Sequence, residues 1–372
     1  MNLSIYKDKK VLVAMSGGID STVSAMLLKE AGAEVIGITM KTWDYVTSGV
    51  DMAANKTTGC CSLDDINDAR SLCVDYDIPH YIHDIRKDFG DSVINNFVDE
   101  YMSGRTPNPC ILCNTHIKWG ALLKIADQLH CDYIATGHYA IISYENGRYV
   151  LSSGVDATKD QSYVLWGLTQ EVLARTIFPV GGYEKSEIRK IAFDRGYEVL
   201  ANKGESYEIC FIPDNNYRAF LSRKRDIKKG NFIDVNGNII GTHDGFPYFT
   251  VGQRKGLGFH GSDAHYVVDI NPKTNEVTLG LEKDLFRQSM IVNKVNTIKI
   301  GYNELDNIDV LANVRYRGKT SLAKVTCLGD ESVRVDFYHQ IKTITAGQST
   351  VFYDPNNPSD VIGGGHIYEV FK

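Results

Sequence analysis

Two short segments of this 372-residue chain carry residue types that could do chemistry, one on anions and one on thiols. Ser16-Gly17-Gly18-Ile19-Asp20-Ser21, preceded by Ala14 and Met15, lies between a short apolar run and a stretch of helical spacing. A strand–loop–helix junction aims free backbone N–H groups and the positive end of a helix dipole at one point, which suits phosphate. The two glycines let the backbone approach an anion closely, and Ser16, Ser21 and Thr22 add hydroxyl donors. The loop lacks the Gly-Lys-Ser/Thr ending of a Walker loop and the spacing of the dinucleotide fingerprint, which argues against kinase-like and dehydrogenase chemistry. The thiol segment, Thr106-Pro107-Asn108-Pro109-Cys110-Ile111-Leu112-Cys113-Asn114, reads as a Pro-stiffened loop opening a helix. A thiol at a helix N-terminus has its pKa lowered, so Cys113 is a candidate nucleophile. Cys110 and Cys113 could also close a disulfide or supply half of a metal site, and a lone Cys-x-x-Cys does not choose. In Gly204–Ile212 a polar stretch leads to Cys210 and an apolar flank, and on spacing alone Cys210 reads as a buried small hydrophobe.

The elements that must position these segments alternate over the first two hundred residues. Apolar runs at 11–15, 34–40, 80–83 and 132–136 predict strands. Helical periodicity at 19–30, 63–76, 93–102 and 117–129 predicts the helices between them. That alternation implies βαβ units and a mainly parallel sheet. After about residue 212 and a basic stretch at 217–230, short alternating strands take over. Hairpin signals fall at Asn236-Gly237 and around 271–275, with further strands near 291–300, 310–317, 322–327, 332–337, 349–353 and 365–371. The fold class expected is α/β: an N-terminal parallel-sheet domain at 1–211, a small β-rich central domain at 212–280 and a C-terminal β-barrel at 281–372.

Hydrophobic residues make up 43% and charged residues 23%, which excludes disordered and low-complexity classes. No apolar run approaches the roughly 18 residues of a membrane helix, and residues 1–10 lack an apolar export core. A soluble, cytoplasmic protein with no membrane partner is expected. Its eight cysteines are then thiols or ligands and not a disulfide framework. The formal charge of -6 points away from a polyanionic partner, but its distribution does not. Residues 43–109 hold 12 Asp and Glu against 5 Lys and Arg, a net of -7, so the remainder sums to +1.

Ser16–Ser21 resembles the Ser-Gly-Gly-x-Asp-Ser loop of the PP-loop ATP pyrophosphatases, which adenylate a carbonyl oxygen and release pyrophosphate. Together with the thiol segments it resembles one family in particular, the tRNA-specific 2-thiouridylases. The resemblance includes Ile117-Lys118-Trp119, Ala135-Thr136-Gly137-His138-Tyr139, Lys159-Asp160-Gln161-Ser162-Tyr163, Ser206–Ile212, the run 250–258 and Val314-Arg315-Tyr316-Arg317, and so spans essentially the whole chain. It implies that Ala14, Met15, Ser16, Gly17, Gly18, Ile19, Asp20, Ser21 and Gly137 bind ATP, with Met40 lining the adenine site. It implies that Cys210 carries sulfur as a persulfide from an upstream protein donor. Cys113 is its partner, attacking the terminal sulfur or closing a disulfide with Cys210. Asn108, Pro109 and Cys110 face the wobble uridine, position 34, of Lys-, Glu- and Gln-type tRNAs. Lys159, Asp160, Gln161, Arg315 and Tyr316 contact the tRNA elsewhere. Magnesium is expected with ATP, Asp20 being the one suspected ligand. Because Cys210 must reach Cys113, its segment is expected to be mobile.

Many relatives have Asp where this chain has Cys110, and Tyr207-Glu208 replaces the commoner Gln-Asp. Cys110 raises a rival route in which Cys110, Cys113 and Cys210 hold an iron–sulfur cluster; the persulfide route is preferred. Other readings are a PP-loop ligase acting on a small metabolite and a non-catalytic tRNA-binding or iron–sulfur carrier protein. Cys60, Cys61 and Cys73 are read as structural thiols in preference to zinc ligands, and Cys131 and Cys327 as packing residues. His138 could reach nucleotide or be satisfied by backbone. The basic run Arg218, Arg223, Lys224, Arg225, Lys228 and Lys229 is either a solvated face or a phosphate contact.

Overall fold

A computed structural model of the chain describes residues 2–43, 63–204, 209–212, 214–259 and 264–372. They fall into two compact units. The first comprises Met1–Val93, Cys110–Asn215 and Ser359–Val361; the second comprises Ile94–Pro109, Asn216–Pro358 and Ile362–Lys372.

In the first unit the strands are β1 (Lys10–Ala14), β2 (Glu34–Lys41), β3 (His80–Asp84), β4 (Tyr133–Ala135), β5 (Ala140–Glu145), β6 (Arg148–Ser153) and β7 (Thr176–Ile177). Five of them form a parallel sheet in the order β3-β2-β1-β4-β7. Helices cover the sheet, so β1 is continuously apolar, with Val11, Leu12 and Val13 wholly buried. Helix α1 (Ile19–Glu30) buries Val23, Ala25, Met26 and Leu28 completely, and α2 (Leu63–Asp75) adds Ala69, Leu72 and Cys73 to the same core. Strand order reverses between β1 and β4. In open α/β sheets a crevice forms at such a point, at the carboxyl ends of the strands, and ligands bind there.

The predicted strands of this unit are found within a residue or two, but the β5–β6 hairpin and β7 were not predicted. Two residues in β7 are too few to show a period. The hairpin did leave a signal: its turn is Asn146-Gly147, both at positive φ (50° and 82°), the Asn-Gly pair that primed turns favour. The helix expected at 117–129 starts earlier, with an α turn at Pro109–Leu112. A π-type stretch, Cys113–Lys118, follows and leads into an α-helix at Trp119–Gln128.

The second unit contains a four-stranded sheet of β8 (Gly230–Ile233), β9 (Ile239–His243), β10 (Tyr266–Asn271) and β11 (Glu276–Gly280), ordered β10-β11-β8-β9 around Phe232, Phe249, Val267 and Val277. It also contains β12 (Phe286–Thr297), β13 (Ile308–Asn313), β14 (Ser321–Gly329), β15 (Ser332–Lys342), β16 (Ser349–Tyr353) and, from Ile362 onward, β17 (Asp360–Phe371). These six run β12-β15-β14-β13-β16-β17, and pairing of β12 with β17 closes a barrel over Met290, Val310, Val335 and Phe352. Closure leaves no open edge. The α/β class, the small β-rich part and the terminal barrel are therefore as the sequence predicts. The strand expected at 310–317 ends at Asn313, which leaves Arg315–Arg317 in a loop.

Candidate active site

The loop Met15–Gly18 joins β1 to α1 at the switch point. No side chain caps Gly18, so the amides of Ile19, Asp20 and Ser21 have no acceptor within α1, whereas Thr22 N–H reaches the Gly18 carbonyl (3.2 Å). The Ser21 hydroxyl braces the loop from within, accepting from the Ser16 amide and donating to the Gly18 carbonyl (both 3.1 Å). It is thus partly spent on the loop itself. Thr22 Oγ1 is buried with no hydrogen-bond partner among the described residues. Two glycines shape the cradle. Gly17 has φ +72°, and a Cβ there would lie 2.1 Å from the Asp65 carbonyl oxygen. A Cβ on Gly137, just past β4, would lie 2.6 Å from the Ser21 amide nitrogen and 2.7 Å from the Asp20 carbonyl carbon. Uncapped amides, close backbone approach and an orphan hydroxyl together fit a polyphosphate. Ala14 ends β1, and the Met15 and Ile19 side chains are core residues, so only their backbone can serve the loop. Met40 is half-buried near the carboxyl end of β2.

Sequence reasoning missed the partners of Asp20. The buried Lys185 places its ammonium 2.6 and 2.8 Å from the two Asp20 oxygens, and Tyr139 O–H donates to Oδ1 at 2.6 Å. Lys185 begins the helix Lys185–Asp194, where Glu184 and Glu187 form a capping box and the buried Asp156 accepts the Lys185 amide (3.0 Å). The Lys159–Gln161 loop joins the same network: Gln161 exchanges hydrogen bonds with the Tyr139 backbone (2.9 and 3.0 Å). Asp160 accepts from the Gly154 and Ser162 amides and the Ser162 hydroxyl. A second lysine, Lys203, donates to the Gly17 carbonyl (3.1 Å), Asp65 (2.7 Å) and Asp68 (2.6 Å). Neither lysine stands out locally, Lys185 lying between Glu184 and Ser186 and Lys203 between Asn202 and Gly204.

His138 bonds through Nδ1 to Thr136 Oγ1 at 2.7 Å and packs between the Trp119 and Phe178 rings. Its partner is thus a side-chain hydroxyl. Burial, with Lys118 adding to it, pushes its pKa down to about 3, so the ring is neutral near pH 7.

The six described cysteines are free thiols. The helix carrying the Cys-x-x-Cys pair begins at Pro109, so Cys110 occupies the first turn and Cys113 lies past it, where the dipole is weaker. Cys113 is buried, at the junction of the α turn and the π-type stretch, a helix irregularity frequent at functional sites. Cys110 is exposed, yet desolvation by the surrounding protein pushes its thiol up, against the opposing pull of Lys118. Cys210 is half-buried and not a core hydrophobe. Phe211 beside it is fully buried against Phe89 (5.8 Å between centroids) and Trp43 (6.3 Å). Residues 205–208, and with them the expected mobility of this segment, lie outside the described residues, as do Cys60 and Cys61. Burial raises Cys73 to about 11, and its S–H points at Met15 Sδ (3.3 Å). Among the described residues no three His, Cys, Asp or Glu converge to hold a metal ion, and Cys110, Cys113 and Cys210 do not form such a group.

In the second unit, Gln348 Nε2 donates to the Thr106 and Pro107 carbonyls (3.0 Å each), which fixes the chain leading to Asn108 and Pro109. Arg315 and Tyr316 are exposed, and Arg317 lies over the Tyr316 ring at 5.4 Å. In the basic run, Arg218 donates to the Tyr248 and Gly256 carbonyls, Arg225 pairs with Asp99 (3.0 Å) and Lys229 with Asp244 (3.7 Å). Arg223 and Lys228 are exposed and form no ion pair among the described residues. No described helix is long and apolar enough to cross a membrane.

Three family models match in succession: "tRNA methyl transferase HUP domain" over residues 9–214, "tRNA methyl transferase PRC-barrel domain" over 218–281 and "Aminomethyltransferase beta-barrel domain" over 287–367. The chain is 53% identical to a protein of Amoebophilus asiaticus over 98% of its own length and 97% of that protein's. It is 51% identical to one of Cytophaga hutchinsonii (98% and 99%) and 49% to one of Salinibacter ruber (98% and 95%). All three relatives carry the name tRNA-specific 2-thiouridylase MnmA.

Proposed function

The chain belongs to the tRNA-specific 2-thiouridylase family, and on that premise we propose that it replaces the 2-oxygen of the wobble uridine, position 34, of tRNA by sulfur at the expense of ATP. The observation that carries the reading is the cradle at the β1/β4 switch point, where Gly17 and Gly137 leave backbone alone around the uncapped start of α1. The loop amides hold the phosphates of ATP, with Met40 near the adenine. The uridine O2 attacks the α-phosphorus and pyrophosphate leaves. The terminal sulfur of a persulfide on Cys210 then attacks C2, AMP departs with the former carbonyl oxygen, and a disulfide links the base to Cys210. The Cys113 thiolate attacks Cys210 Sγ, forming the Cys113–Cys210 disulfide and leaving 2-thiouridine. A thiol reductant and an upstream persulfide donor restore the starting state.

A uridine carbonyl is a poor electrophile, and adenylation turns its oxygen into a leaving group; thiolates are competent nucleophiles near neutral pH. The base leaves the anticodon stack to reach Asn108, Pro109 and Cys110. Lys159, Asp160 and Gln161 are read as tRNA contacts, and Arg315 and Tyr316 as contacts on the barrel, with Lys-, Glu- and Gln-type tRNAs the substrates. The domains implied are 1–211 for ATP and chemistry, 212–280 as the connector and 281–372 for tRNA, acting in the cytoplasm. Magnesium, when bound, neutralises the triphosphate. The Asp20 carboxylate is already engaged by Lys185 and Tyr139, so it does not fit as a ready ligand. Methyl transfer, named in two of the family-model descriptions, requires neither a phosphate cradle nor two thiols.

The test is mass spectrometry of nucleosides from tRNA incubated with the protein, ATP and a persulfide donor. The reading expects 2-thiouridine, abolished by Cys113→Ser and by Cys210→Ser while ATP binding persists. No 2-thiouridine from protein with ATP demonstrably bound overturns it.

A further inference from the structure

Lys203 has no role in the chemistry above, yet its ammonium makes three bonds, to the Gly17 carbonyl, Asp65 Oδ1 and Asp68 Oδ2, which uses all three donors of the group. The acceptors belong to the phosphate loop and to the first turns of α2, and the missing Cβ of Gly17 is what lets these two meet. Burial works against the charge on Lys203, but the bonds to Asp65 and Asp68 outweigh it and raise the pKa, so the ammonium persists.

The backbone that carries Lys203 is held as well. Arg189 Nη1 donates to the carbonyls of Ala201 and Lys203. Arg189 sits one turn after Lys185, the partner of Asp20, on the helix Lys185–Asp194. The phosphate loop and the backbone at Lys203 are therefore connected twice: directly through the Gly17 carbonyl, and around through Asp20, Lys185 and Arg189. Seven residues after Lys203 comes Cys210, and Phe211 fastens the far side against Phe89 and Trp43.

We propose that Lys203 is a positioning residue that ties the phosphate loop to the chain entering the Cys210 segment, so that nucleotide on the loop sets the reactivity of the Cys210 thiol. The inference rests on reading the loop as the ATP cradle and Cys210 as the sulfur carrier. Nucleotide phosphates fix the amides of the loop and, with them, the Gly17 carbonyl that Lys203 grips. Loss of the ammonium removes the direct tie and leaves only the longer route through Asp20, Lys185 and Arg189.

The experiment measures alkylation of Cys210 by iodoacetamide in the full-length reduced protein, resolved from the other cysteines by peptide mass spectrometry, with and without saturating ATP. In the wild type ATP slows alkylation of Cys210 by about fivefold or more, the lower bound of ordinary coupling. In Lys203→Met the ATP effect falls below about twofold, and Lys203→Arg recovers part of it. Asp68→Asn, which takes the negative charge from a half-exposed acceptor, lowers the effect as well and carries the test should Lys203→Met fail to fold. The same ATP effect in Lys203→Met or in Asp68→Asn as in the wild type overturns the proposal. So does a wild-type Cys210 that is indifferent to ATP when calorimetry shows ATP bound. Thiolation of tRNA by the wild type is scored separately: its absence refutes the functional reading, whereas its presence beside unaltered coupling in Lys203→Met refutes only the tie.

Discussion

Gly137→Ala adds one methyl group at the point where β4 meets the start of α1. An ideal Cβ there lies 2.6 Å from the Ser21 amide nitrogen, 2.7 Å from the Asp20 carbonyl carbon and 3.0 Å from Asp20 Cβ. The two nearest are backbone atoms of a helix whose Val23, Ala25, Met26 and Leu28 are wholly buried, so no flexible tip can swing aside. Ordinary contact begins at 3.4 Å, so a gap of 3.4 − 2.6 = 0.8 Å must open between β4 and the first turn of α1. Overpacking of this size costs about 1–3 kcal/mol. The functional loss is larger, because the atoms displaced are the ones aimed at the phosphates, and a misplacement near 1 Å costs on the order of 10²-fold in rate. The variant is expected to melt only about 2–12 °C below the wild type, at ~2–4 °C per kcal/mol, yet release tRNA-dependent pyrophosphate about 10²-fold more slowly. Gly120→Ala is the matched control. It lies on the exposed face of the helix Trp119–Gln128 with nothing within 4 Å of its Cβ position, and should stabilise by up to about 1 kcal/mol. Wild-type turnover and ATP affinity in Gly137→Ala would refute the cradle.

Lys185→Met leaves the Asp20 carboxylate, 31% exposed, with the Tyr139 hydroxyl as its remaining side-chain partner among the described residues and should cost about 2–4 kcal/mol, read as a fall in denaturant midpoint; a midpoint within error of the wild type counts against the pair. His138 titrates near 3 in the fold against about 6.5 unfolded, so the unfolded chain takes up the extra proton and stability is lost as pH falls from about 6.5 toward 3. At pH 5 the loss is about 2 kcal/mol, and the wild type should lose that much more than His138→Gln between pH 7.5 and 5; parallel profiles sink the assignment. Reversing Arg223 and Lys228 to Glu should weaken tRNA binding and flatten the slope of log K against log salt by about 1.5, whereas an unchanged slope removes the basic run from the interface.

What was legible in the sequence was whatever has a local period or a contiguous motif. The strands β1 to β4 and their helices follow from apolar spacing, and the phosphate loop announces itself because its glycines, hydroxyls and carboxylate are adjacent. Asp20 was visible as a carboxylate in a loop, but its partner stands 165 residues away, and no local pattern carries that distance. The same holds for Lys203, whose acceptors on α2 lie 135 and 138 residues before it. For the thiols the helix boundary decided the physics. Pro109 at the first helical position places Cys110 in the turn where the dipole acts, and Cys113 a residue beyond it. A shift of a few residues at a helix start is below what periodicity resolves, yet it moves the electrostatic argument from one sulfur to the other.

Net charge misleads here for a related reason: a sum counts carboxylates without asking what they hold. Within residues 43–109, the block with a net of -7, Asp65 and Asp68 hold Lys203, Asp84 holds Arg86, Asp99 holds Arg225 and Glu100 holds Arg105. The same accounting thins the basic run. Arg218 donates to backbone carbonyls and stacks over Tyr248 and Phe249, and Arg225 and Lys229 have carboxylate partners. A phosphate backbone competes for cations according to how cheaply they can be released, and an exposed lysine or arginine with no ion pair costs nothing to redirect. That singles out Arg223 and Lys228 on one segment and Arg315 on another, all exposed and without an ion pair among the described residues. If tRNA binds where these stand, Arg225→Gln should weaken binding less than Arg223→Gln at equal salt, because Arg225 must first leave Asp99; the reverse order would mean that pairing in the free protein does not set which cations meet phosphate.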